Sequence, residues 1–168
     1  MFTIDRLVGN QQYLHEIISS MQIQYKNTYN EDIDTDDVRH YCITNLYVMI
    51  ENTKGVNKLI GYFSLSRMDL TNNNIIVRFV TMILSWLQGR IFIYDVYIFP
   101  EHRSKGYGII MINLAIEEST RHFYITNVQL HTHQKALGRF YQKNGFKFIE
   151  KQGSLYLFRR SVTKVKNI

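Results

Sequence analysis

The sequence contains a single cysteine, Cys42, and a single proline, Pro100. One cysteine excludes an intrachain disulfide and a zinc site built from several cysteines, and it favours a reducing compartment. The first residues lack the basic and then apolar pattern of a signal peptide. The longest apolar stretch, residues 75–87, contains Arg78 and is too short to span a bilayer. We therefore expect a soluble, cytoplasmic protein that does not enter a membrane.

Linkers rich in proline, glycine or serine are also missing, and the sequence has no internal repeat. The 168 residues suit one domain, so we expect a single domain over 1–168 with a flexible tail from about residue 161. The hydrophobic fraction of 45% excludes intrinsic disorder. The net charge of +6 is compatible with nucleic acid, a membrane surface or an anionic cofactor. Because Lys and Arg are spread along the chain, the charge alone selects none of these partners.

Local patterns predict alternating strands and helices, which indicates a mixed α/β sheet with helices on both faces. The predicted strands are 2–8, 46–50, 59–68, 91–99, 127–131, 146–150 and 155–158. The predicted helices are 11–26, 35–43, 107–122 and 135–143. The apolar stretch 75–87 is ambiguous between strand and helix, since its periodicity favours neither.

The same patterns predict which residues cap the helices and which are buried. Asn10 is expected to cap the first helix, and Thr35 or Asp36 the second. The residues expected to point inward are Leu14, Ile17, Ile18 and Met21 in the first helix, and Ile110, Leu114 and Ile116 in helix 107–122. The stretch 75–87 is expected in the core, with a dimer face or the wall of a substrate pocket as alternatives.

The segment Arg103-Ser104-Lys105-Gly106-Tyr107-Gly108 has the features of an anion-binding loop. It follows a buried strand and Pro100, and it precedes an apolar helix. Its two glycines allow a tight turn and a close approach to a ligand. The N-terminus of the helix offers N–H groups and a positive dipole end, where a pyrophosphate fits. The Rossmann fingerprint is excluded because position 111 is Met, but an ordinary strand-to-helix turn stays open.

Two blocks of residues together resemble the GCN5-related N-acetyltransferase (GNAT) superfamily. Arg103, Gly106 and Gly108 match the family's motif of Arg or Gln, two residues, Gly, one residue, and Gly or Ala. The block Ala136-Leu137-Gly138-Arg139-Phe140-Tyr141-Gln142-Lys143-Asn144-Gly145-Phe146 is similar to the family's helix that ends in Phe-Tyr, two or three residues, and Gly-Phe. The resemblance covers roughly residues 46–160. It implies the GNAT fold, a mixed and mostly antiparallel sheet of six to seven strands that splays between its fourth and fifth strands.

The resemblance also implies direct transfer of acetyl from acetyl-CoA to an amine, with CoA as product. The implied cofactor-binding residues are Val96, Tyr97 and Ile98 on the fourth strand, Arg103, Ser104, Lys105, Gly106, Tyr107, Gly108 and Ile109 around the loop, and Gln134 and Lys135. Tyr141 matches the tyrosine that protonates the CoA sulfur. Asp95 and Tyr94 are the candidates for the proton-accepting side of the reaction.

His131 and His133 are further candidates for a base, although structural roles suit them better. No third ligand accompanies this pair, so we expect no metal site. The resemblance also implies that the acceptor contacts the loop between the first two helices, which here carries Glu31, Asp32, Asp34, Asp36 and Asp37. These carboxylates suit a cationic amine, either a polyamine-like small molecule or a protein, although a solvated loop with a helix cap also explains them.

The sequence departs from the family pattern at two positions. Gln134 stands where the family often has Asn, and no Glu lies on the fourth strand. A protein that binds acetyl-CoA without transferring acetyl therefore stays open. An acetyltransferase that acts on aminoacyl-tRNA also stays open, because the net charge permits nucleic acid. GNAT proteins frequently dimerise, so the resemblance makes a homodimer a further expectation.

Overall fold

The computed structural model describes residues 1–30, 32–67, 74–122 and 125–162. Glu31 of the acidic loop, residue 68 of the third predicted strand and residues 163–168 of the expected tail lie outside the described residues. Seven strands form one mixed sheet in the order β1-β2-β3-β4-β5-β7-β6. The strands are β1 (Phe2–Arg6), β2 (Leu46–Thr53), β3 (Val56–Ser66), β4 (Arg90–Ile98), β5 (Asn127–Thr132), β6 (Lys147–Gln152) and β7 (Leu155–Ser161). The helices are α1 (Leu14–Tyr29), α2 (Thr35–Asn45), α3 (Ile75–Leu87), α4 (Tyr107–His122) and α5 (Lys135–Lys143).

The chain forms two compact units. The first contains Met1–Ser64 and Asp95–Gly108, and the second contains Leu65–Tyr94 and Ile109–Ile168. All the elements predicted from the sequence are present, with bounds that move by a few residues. The prediction of a mixed α/β fold is confirmed.

In the first unit, β1, β2 and β3 pair in antiparallel order. In the turn between β2 and β3, Lys54 has φ 53° and Gly55 has φ 83°. A two-residue hairpin turn needs positive φ at both residues to match the right-handed twist of its strands. The apolar core of this unit joins α1 and α2 to the sheet, and it includes Leu7, Ile17, Val38, Cys42, Val48, Leu59, Tyr62 and Phe99. Leu14 and Ile17 are buried, and Ile18 and Met21 pack against the same core, as predicted.

Cys42 lies inside this core. Its side chain is fully buried, and its Sγ atom lies 3.4 Å from the sulfur of Met21. Burial, followed by the negative charge of Asp95, raises the pKa of the Cys42 thiol to about 12.

Both predicted helix caps are wrong. The Asn10 side chain donates to the carbonyl of Arg6, and α1 begins four residues later, after a short 3₁₀ turn. The cap of α2 is Asp34, whose Oδ1 accepts from the N–H groups of Asp36 at 2.7 Å and Asp37 at 3.2 Å. Thr35 and Asp36 are instead the first residues of the helix. A carboxylate just before the first turn satisfies N–H groups that have no partner in the helix.

In the second unit, β4 and β5 are parallel, and β7 pairs in antiparallel order with both β5 and β6. The buried stripe of α4 consists of Met111, Ile112, Ala115 and Ile116. Of the inward residues predicted for this helix, Ile116 is buried, whereas Ile110 and Leu114 are half-buried. The stripe is therefore shifted by one residue around the helix.

The stretch 75–87 is a helix, α3, but the prediction that it lies in the core is wrong. Asn74 caps it by accepting from the N–H groups of Ile76 and Val77. Its large apolar side chains are exposed, among them Ile75 at 68% and Trp86 at 66%. None of the described helices is long and apolar enough to cross a membrane.

Candidate active site

The predicted anion-binding loop has an unusual backbone in the first unit. After β4 ends at Ile98, Pro100 begins a short 3₁₀ turn, and α4 begins at Tyr107. Between them, Ser104 has φ 61° and Gly106 has φ 80°. A side chain at either position is disfavoured by this left-handed conformation, which glycine adopts freely. Alternating left-handed residues turn successive N–H groups toward one side and make a concave site for an anion.

The two cations of the loop fold back onto its own carbonyl groups. Arg103 Nε donates to the carbonyl of Ile98 at 3.0 Å, and the guanidinium lies 5.3 Å from the centre of the Tyr97 ring. Lys105 Nζ donates to the carbonyl of Glu101 at 2.9 Å. Each bond uses one donor of a side chain that has several. The remaining donors can therefore contact an anion from positions that are already fixed.

The start of α4 is anchored by neighbouring side chains. The Tyr107 hydroxyl donates to Glu51 Oε1 at 3.3 Å, and its ring packs against Phe2 with centroids 5.2 Å apart. His102, just before the loop, is 2% exposed. Its Nε2 lies 3.6 Å from Glu101 Oε1, and it has no hydrogen-bond partner among the described residues. Gly108 and Ile109 lie half-buried in the first turn of the helix.

The loop is open beside Gly106. A Cβ atom placed on Gly106 meets no other atom within 4 Å, so the surface beside this residue is open. Two left-handed residues, the first N–H groups of α4 and two cations border this open surface. This combination of donors and positive charge suits a pyrophosphate.

Asp95 has a special position within β4. The parallel pairing of β4 with β5 runs from Arg90 to Ile93, and two residues later Asp95 adopts φ 52°. This left-handed conformation interrupts the alternation of the strand, and Asp tolerates it better than most residues. Val96, Tyr97 and Ile98 complete the strand and are half-buried.

The Asp95 carboxylate forms a cluster with two hydroxyl groups of the first unit. Its Oδ2 accepts from the Tyr41 hydroxyl at 2.5 Å and from Ser64 Oγ at 3.1 Å. Tyr41 and Ser64 also lie 3.0 Å apart, oxygen to oxygen. Although Asp95 is an exposed residue as a whole, its carboxyl group is enclosed by α2 and β3 side chains. The structure thus links a β4 carboxylate to α2, which follows the acidic loop.

Burial changes the proton affinity of this cluster. Burial raises the pKa of the Asp95 carboxyl, while the hydrogen bonds from Tyr41 and Ser64 lower it, and the net shift is upward. Burial and then the Asp95 charge raise the pKa of Tyr41. A carboxylate with a raised pKa is a better proton acceptor near neutral pH than an ordinary one.

Tyr94 and His131 form a ring stack in the second unit. Tyr94 stacks on Phe92 with centroids 5.9 Å apart, and His131 stacks on both rings. His133 is exposed, and its Nδ1 lies 3.2 Å from Ser154 Oγ. Among the described residues, no group of three His, Cys, Asp or Glu side chains could hold a metal ion.

Tyr141 is buried in α5 of the second unit, at 6% exposure. Its ring packs against Phe158 at 5.7 Å and Phe146 at 6.0 Å between centroids. Burial raises the pKa of its hydroxyl to about 12. The phenol therefore stays protonated at neutral pH and is available as a proton donor. Gln134 and Lys135 precede and begin the same helix, and both are exposed.

Half of the described carboxylates in the acidic loop have structural partners. Asp34 caps α2, and Asp32 pairs with Lys26 at 2.8 Å. Asp36 and Asp37 are exposed in the first turn of α2. Between α1 and the loop lies an open hollow of about 430 Å³, lined by Gln22, Ile23, Lys26, Asn27, Asp32 and Ile33.

Sequence reasoning missed Tyr41 and Ser64, the partners of Asp95. They lie 54 and 31 positions away in the sequence, and no motif surrounds them. Of the predicted site residues, Asp95, Val96, Tyr97 and Ile98 and the loop Arg103–Gly108 belong to the first unit. Tyr94, Ile109, Gln134, Lys135 and Tyr141 belong to the second.

Comparisons with known proteins identify the family and the fold. The acetyltransferase (GNAT) domain family matches residues 43–148. A GNAT-family acetyltransferase from Listeria monocytogenes has a similar structure, with a TM-score of 0.67 at 10% identity over 96% of this chain and 95% of that one. PaiA N-acetyltransferase from Thermoplasma acidophilum, solved with coenzyme A, gives 0.61 at 16% identity over 96% and 99%. NAA60 from Arabidopsis thaliana, solved with a bisubstrate analogue, gives 0.61 at 12% identity over 97% and 100%.

No curated protein has a matching sequence. The family match nevertheless covers well over half of the chain, and it spans the strand, the anion-binding loop and the helix that carries Tyr141. The chain belongs to the GNAT family of acetyltransferases.

Proposed function

We propose that this protein is a cytoplasmic N-acetyltransferase that transfers acetyl from acetyl-CoA directly to a primary amine. The observation that carries the proposal is the loop from Arg103 to Gly108, with left-handed Ser104 and Gly106 at the start of α4. CoA bound to PaiA and a bisubstrate analogue bound to NAA60 support the same cofactor here.

Acetyl-CoA supplies the activated acetyl thioester. The loop N–H groups, Arg103 and Lys105 bind its pyrophosphate, and Tyr107 and Ile109 flank them in the first turn of α4. Main-chain N–H groups of Val96, Tyr97 and Ile98 bind the pantetheine arm and the thioester oxygen, while Gln134 and Lys135 contribute from the start of α5. One donor aimed at the developing oxyanion contributes about 3 kcal/mol to catalysis.

Two side chains move the protons. The Asp95 carboxylate accepts the proton that the amine loses as it attacks, since its pKa is raised and two hydroxyl groups hold it in place. The Tyr141 hydroxyl gives a proton to the departing sulfur, as the resemblance implies, and it is protonated at neutral pH before the transfer. Tyr94 supports the strand beside Asp95 through its ring stack.

The acceptor is a cationic amine, either a polyamine-like small molecule or a protein amine. Asp36 and Asp37 support this assignment, because both are exposed in the first turn of α2, directly after the acidic loop, and neither caps the helix. Negative charge at this position raises the local concentration of cations.

Replacing Gly106 by valine tests the cofactor site. A branched side chain strains the backbone at φ 80° and projects into the open surface where we place the pyrophosphate. We expect the Kd of acetyl-CoA, measured by calorimetry, to rise at least about tenfold, which is a loss of about 1.4 kcal/mol.

Gly55 offers a matched control for this variant. It has φ 83°, and a Cβ atom there also meets nothing within 4 Å, but it lies in the β2–β3 turn. Gly55→Val carries the same backbone strain and should leave the Kd unchanged. Equal Kd values for Gly106→Val and the wild-type protein would remove the loop from the cofactor site.

Neutralising Asp36 and Asp37 together tests the acceptor site. In the Asp36→Asn/Asp37→Asn variant, we expect the KM for spermidine to rise about three- to tenfold with kcat unchanged, because only charge attraction is lost. The increase should disappear in high salt, which screens exposed charges. An unchanged KM at low salt would show that these carboxylates do not recognise the acceptor.

Release of free CoA measures the activity itself. The assay compares polyamines, basic peptides and charged tRNA as acceptors, with acetyl-CoA binding measured in parallel. CoA release with an amine supports the proposal. Release with charged tRNA alone would assign an acetyltransferase of aminoacyl-tRNA instead, and tight acetyl-CoA binding without release would assign a binding protein that lacks transfer activity.

A further inference from the structure

Helix α3 is amphipathic, but its polar side faces the protein and its apolar side faces outward. The side that faces the protein carries Arg78, Thr81 and Met82, which are half-buried, and Ser85, which is fully buried. The outward side carries nine large apolar residues, each between 41% and 69% exposed: Ile75, Ile76, Val77, Phe79, Val80, Ile83, Leu84, Trp86 and Leu87. A helix on the surface of a globular protein normally has the opposite arrangement. Such a continuous apolar face marks an interaction surface.

The width of this face indicates what covers it. At about 100° per residue, the nine side chains span an arc of about 200° around the helix. A surface helix that packs against protein normally presents an apolar stripe of about 100° or somewhat more. A helix that lies in the surface of a lipid bilayer has its whole outward side in contact with lipid. The observed arc therefore fits lipid better than a second protein.

The ends of α3 also suit a bilayer surface. Asn74 satisfies the first N–H groups, so the start of the helix tolerates a surface with little water. Trp86, the only tryptophan of the chain, is 66% exposed in the last turn. Tryptophan is enriched where lipid headgroups meet acyl chains. The helix has 13 residues, which is the length of an element that lies in the surface and not of one that spans it.

Positive charge accumulates at the C-terminal end of α3. Arg90 follows the helix by three residues, and burial and then the nearby charge of Arg159 lower its pKa. The Thr126 hydroxyl donates to the carbonyl of Gln88, and the N–H of Val162 donates to the carbonyl of Thr126. Thr126 therefore connects Val162, which follows β7, to the segment that ends α3.

The charge of the chain is thus not spread evenly, as the sequence had led us to expect. Residues 127–168 contain nine Lys and Arg and one acid, Glu150, whereas residues 1–126 contain 11 Lys and Arg and 13 acids. The second unit, which carries α3, has 13 Lys and Arg against 4 Asp and Glu. Two copies of this unit repel each other, whereas an anionic surface attracts it.

We propose that α3 docks the protein onto an anionic lipid bilayer. Its apolar face enters the boundary between headgroups and acyl chains, and the cations near its C-terminal end contact lipid phosphates. This surface does not depend on the acetyl-transfer proposal, since none of the residues we assign to that reaction lies on α3.

The test uses the full chain with phosphatidylcholine vesicles, with and without phosphatidylserine. We expect the wild-type protein to cosediment with the anionic vesicles and the emission of Trp86 to shift to shorter wavelength. The Phe79→Ser/Leu87→Ser variant keeps Trp86 as reporter and should lose at least nine-tenths of the binding. The Val8→Ser/Val56→Ser variant, which also removes two exposed apolar side chains, should bind as the wild type does.

Three outcomes would overturn the proposal. The first is no cosedimentation and no emission shift at low salt. The second is equal loss of binding in the two variants, or no loss in either. The third is a stable dimer in light scattering that Phe79→Ser/Leu87→Ser dissociates, since a second copy would then cover α3. Circular dichroism checks that both variants keep the wild-type helix content.

Discussion

Replacing Asp95 by asparagine is expected to lower kcat about 100-fold, the usual scale of a lost general base, while acetyl-CoA affinity stays unchanged. Asparagine tolerates the left-handed φ of 52° as aspartate does, so the backbone of β4 keeps its shape. It can still accept hydrogen bonds from Tyr41 and Ser64. The substitution therefore removes proton acceptance and little else, and steady-state kinetics measures the effect.

The pH dependence of kcat gives a second test of Asp95. Burial raises the pKa of its carboxyl, and only the deprotonated form accepts a proton. Activity should therefore fall as the pH falls through this raised pKa, at a pH above the ordinary titration range of aspartate. The hydrogen bond from Tyr41 lowers the pKa of Asp95, so Tyr41→Phe should move this loss of activity to higher pH.

Asp5→Asn is the matched control, because Asp5 is an exposed carboxylate on β1. It should leave both kcat and the pH profile unchanged. If Asp95→Asn instead retains the wild-type kcat and the same decrease of kcat at low pH, the amine loses its proton by another route. Asp95 then has only a structural role in the cluster with Tyr41 and Ser64.

Replacing Tyr141 by phenylalanine is expected to lower kcat at least about tenfold with the Kd of acetyl-CoA unchanged. The substitution keeps the ring and hence its packing against Phe146 and Phe158. It removes only the hydroxyl, whose pKa of about 12 keeps it protonated throughout the neutral and moderately alkaline range. The departing thiolate then has to take its proton from water.

Tyr156→Phe serves as the control for this variant. Tyr156 is a half-buried tyrosine of the same unit, on β7, and its ring packs against Phe148. Its hydroxyl has no role in our proposal, so kcat should not change. Turnover by Tyr141→Phe equal to that of the wild type would exclude this phenol as the proton donor, and equal thermal midpoints would confirm that both variants are folded.

The parts of the site that the sequence predicts are local. Pro100, Gly106 and the apolar helix that follows lie within a few residues of one another, so their order alone predicts a strand, a tight loop and a helix N-terminus. The φ of 80° at Gly106 and the start of α4 at Tyr107 agree with this expectation. Such features depend on the backbone preferences of neighbouring residues, and a sequence shows those preferences directly.

The parts that the sequence does not predict depend on distant contacts. Asp95 meets Tyr41 and Ser64 only because α2 and β3 fold against the end of β4. Asp34 is the cap of α2 although Thr35 and Asp36 have the same capping chemistry, since the choice depends on where the chain turns. For α3, composition predicts burial, whereas the polar side faces the protein. Hydrophobicity shows that a helix face needs a cover and does not show whether protein or lipid provides it.

Because Cys42 is buried, the native chain should not react with thiol reagents. Its sulfur packs against Met21, and a thiol with a pKa of about 12 holds almost no reactive thiolate at neutral pH. Chromogenic aromatic disulfide reagents should therefore not react with the native enzyme, whereas they should react with one thiol in the unfolded chain. Colour that develops during turnover then counts coenzyme sulfur alone, and colour that develops in the absence of acetyl-CoA reports unfolding.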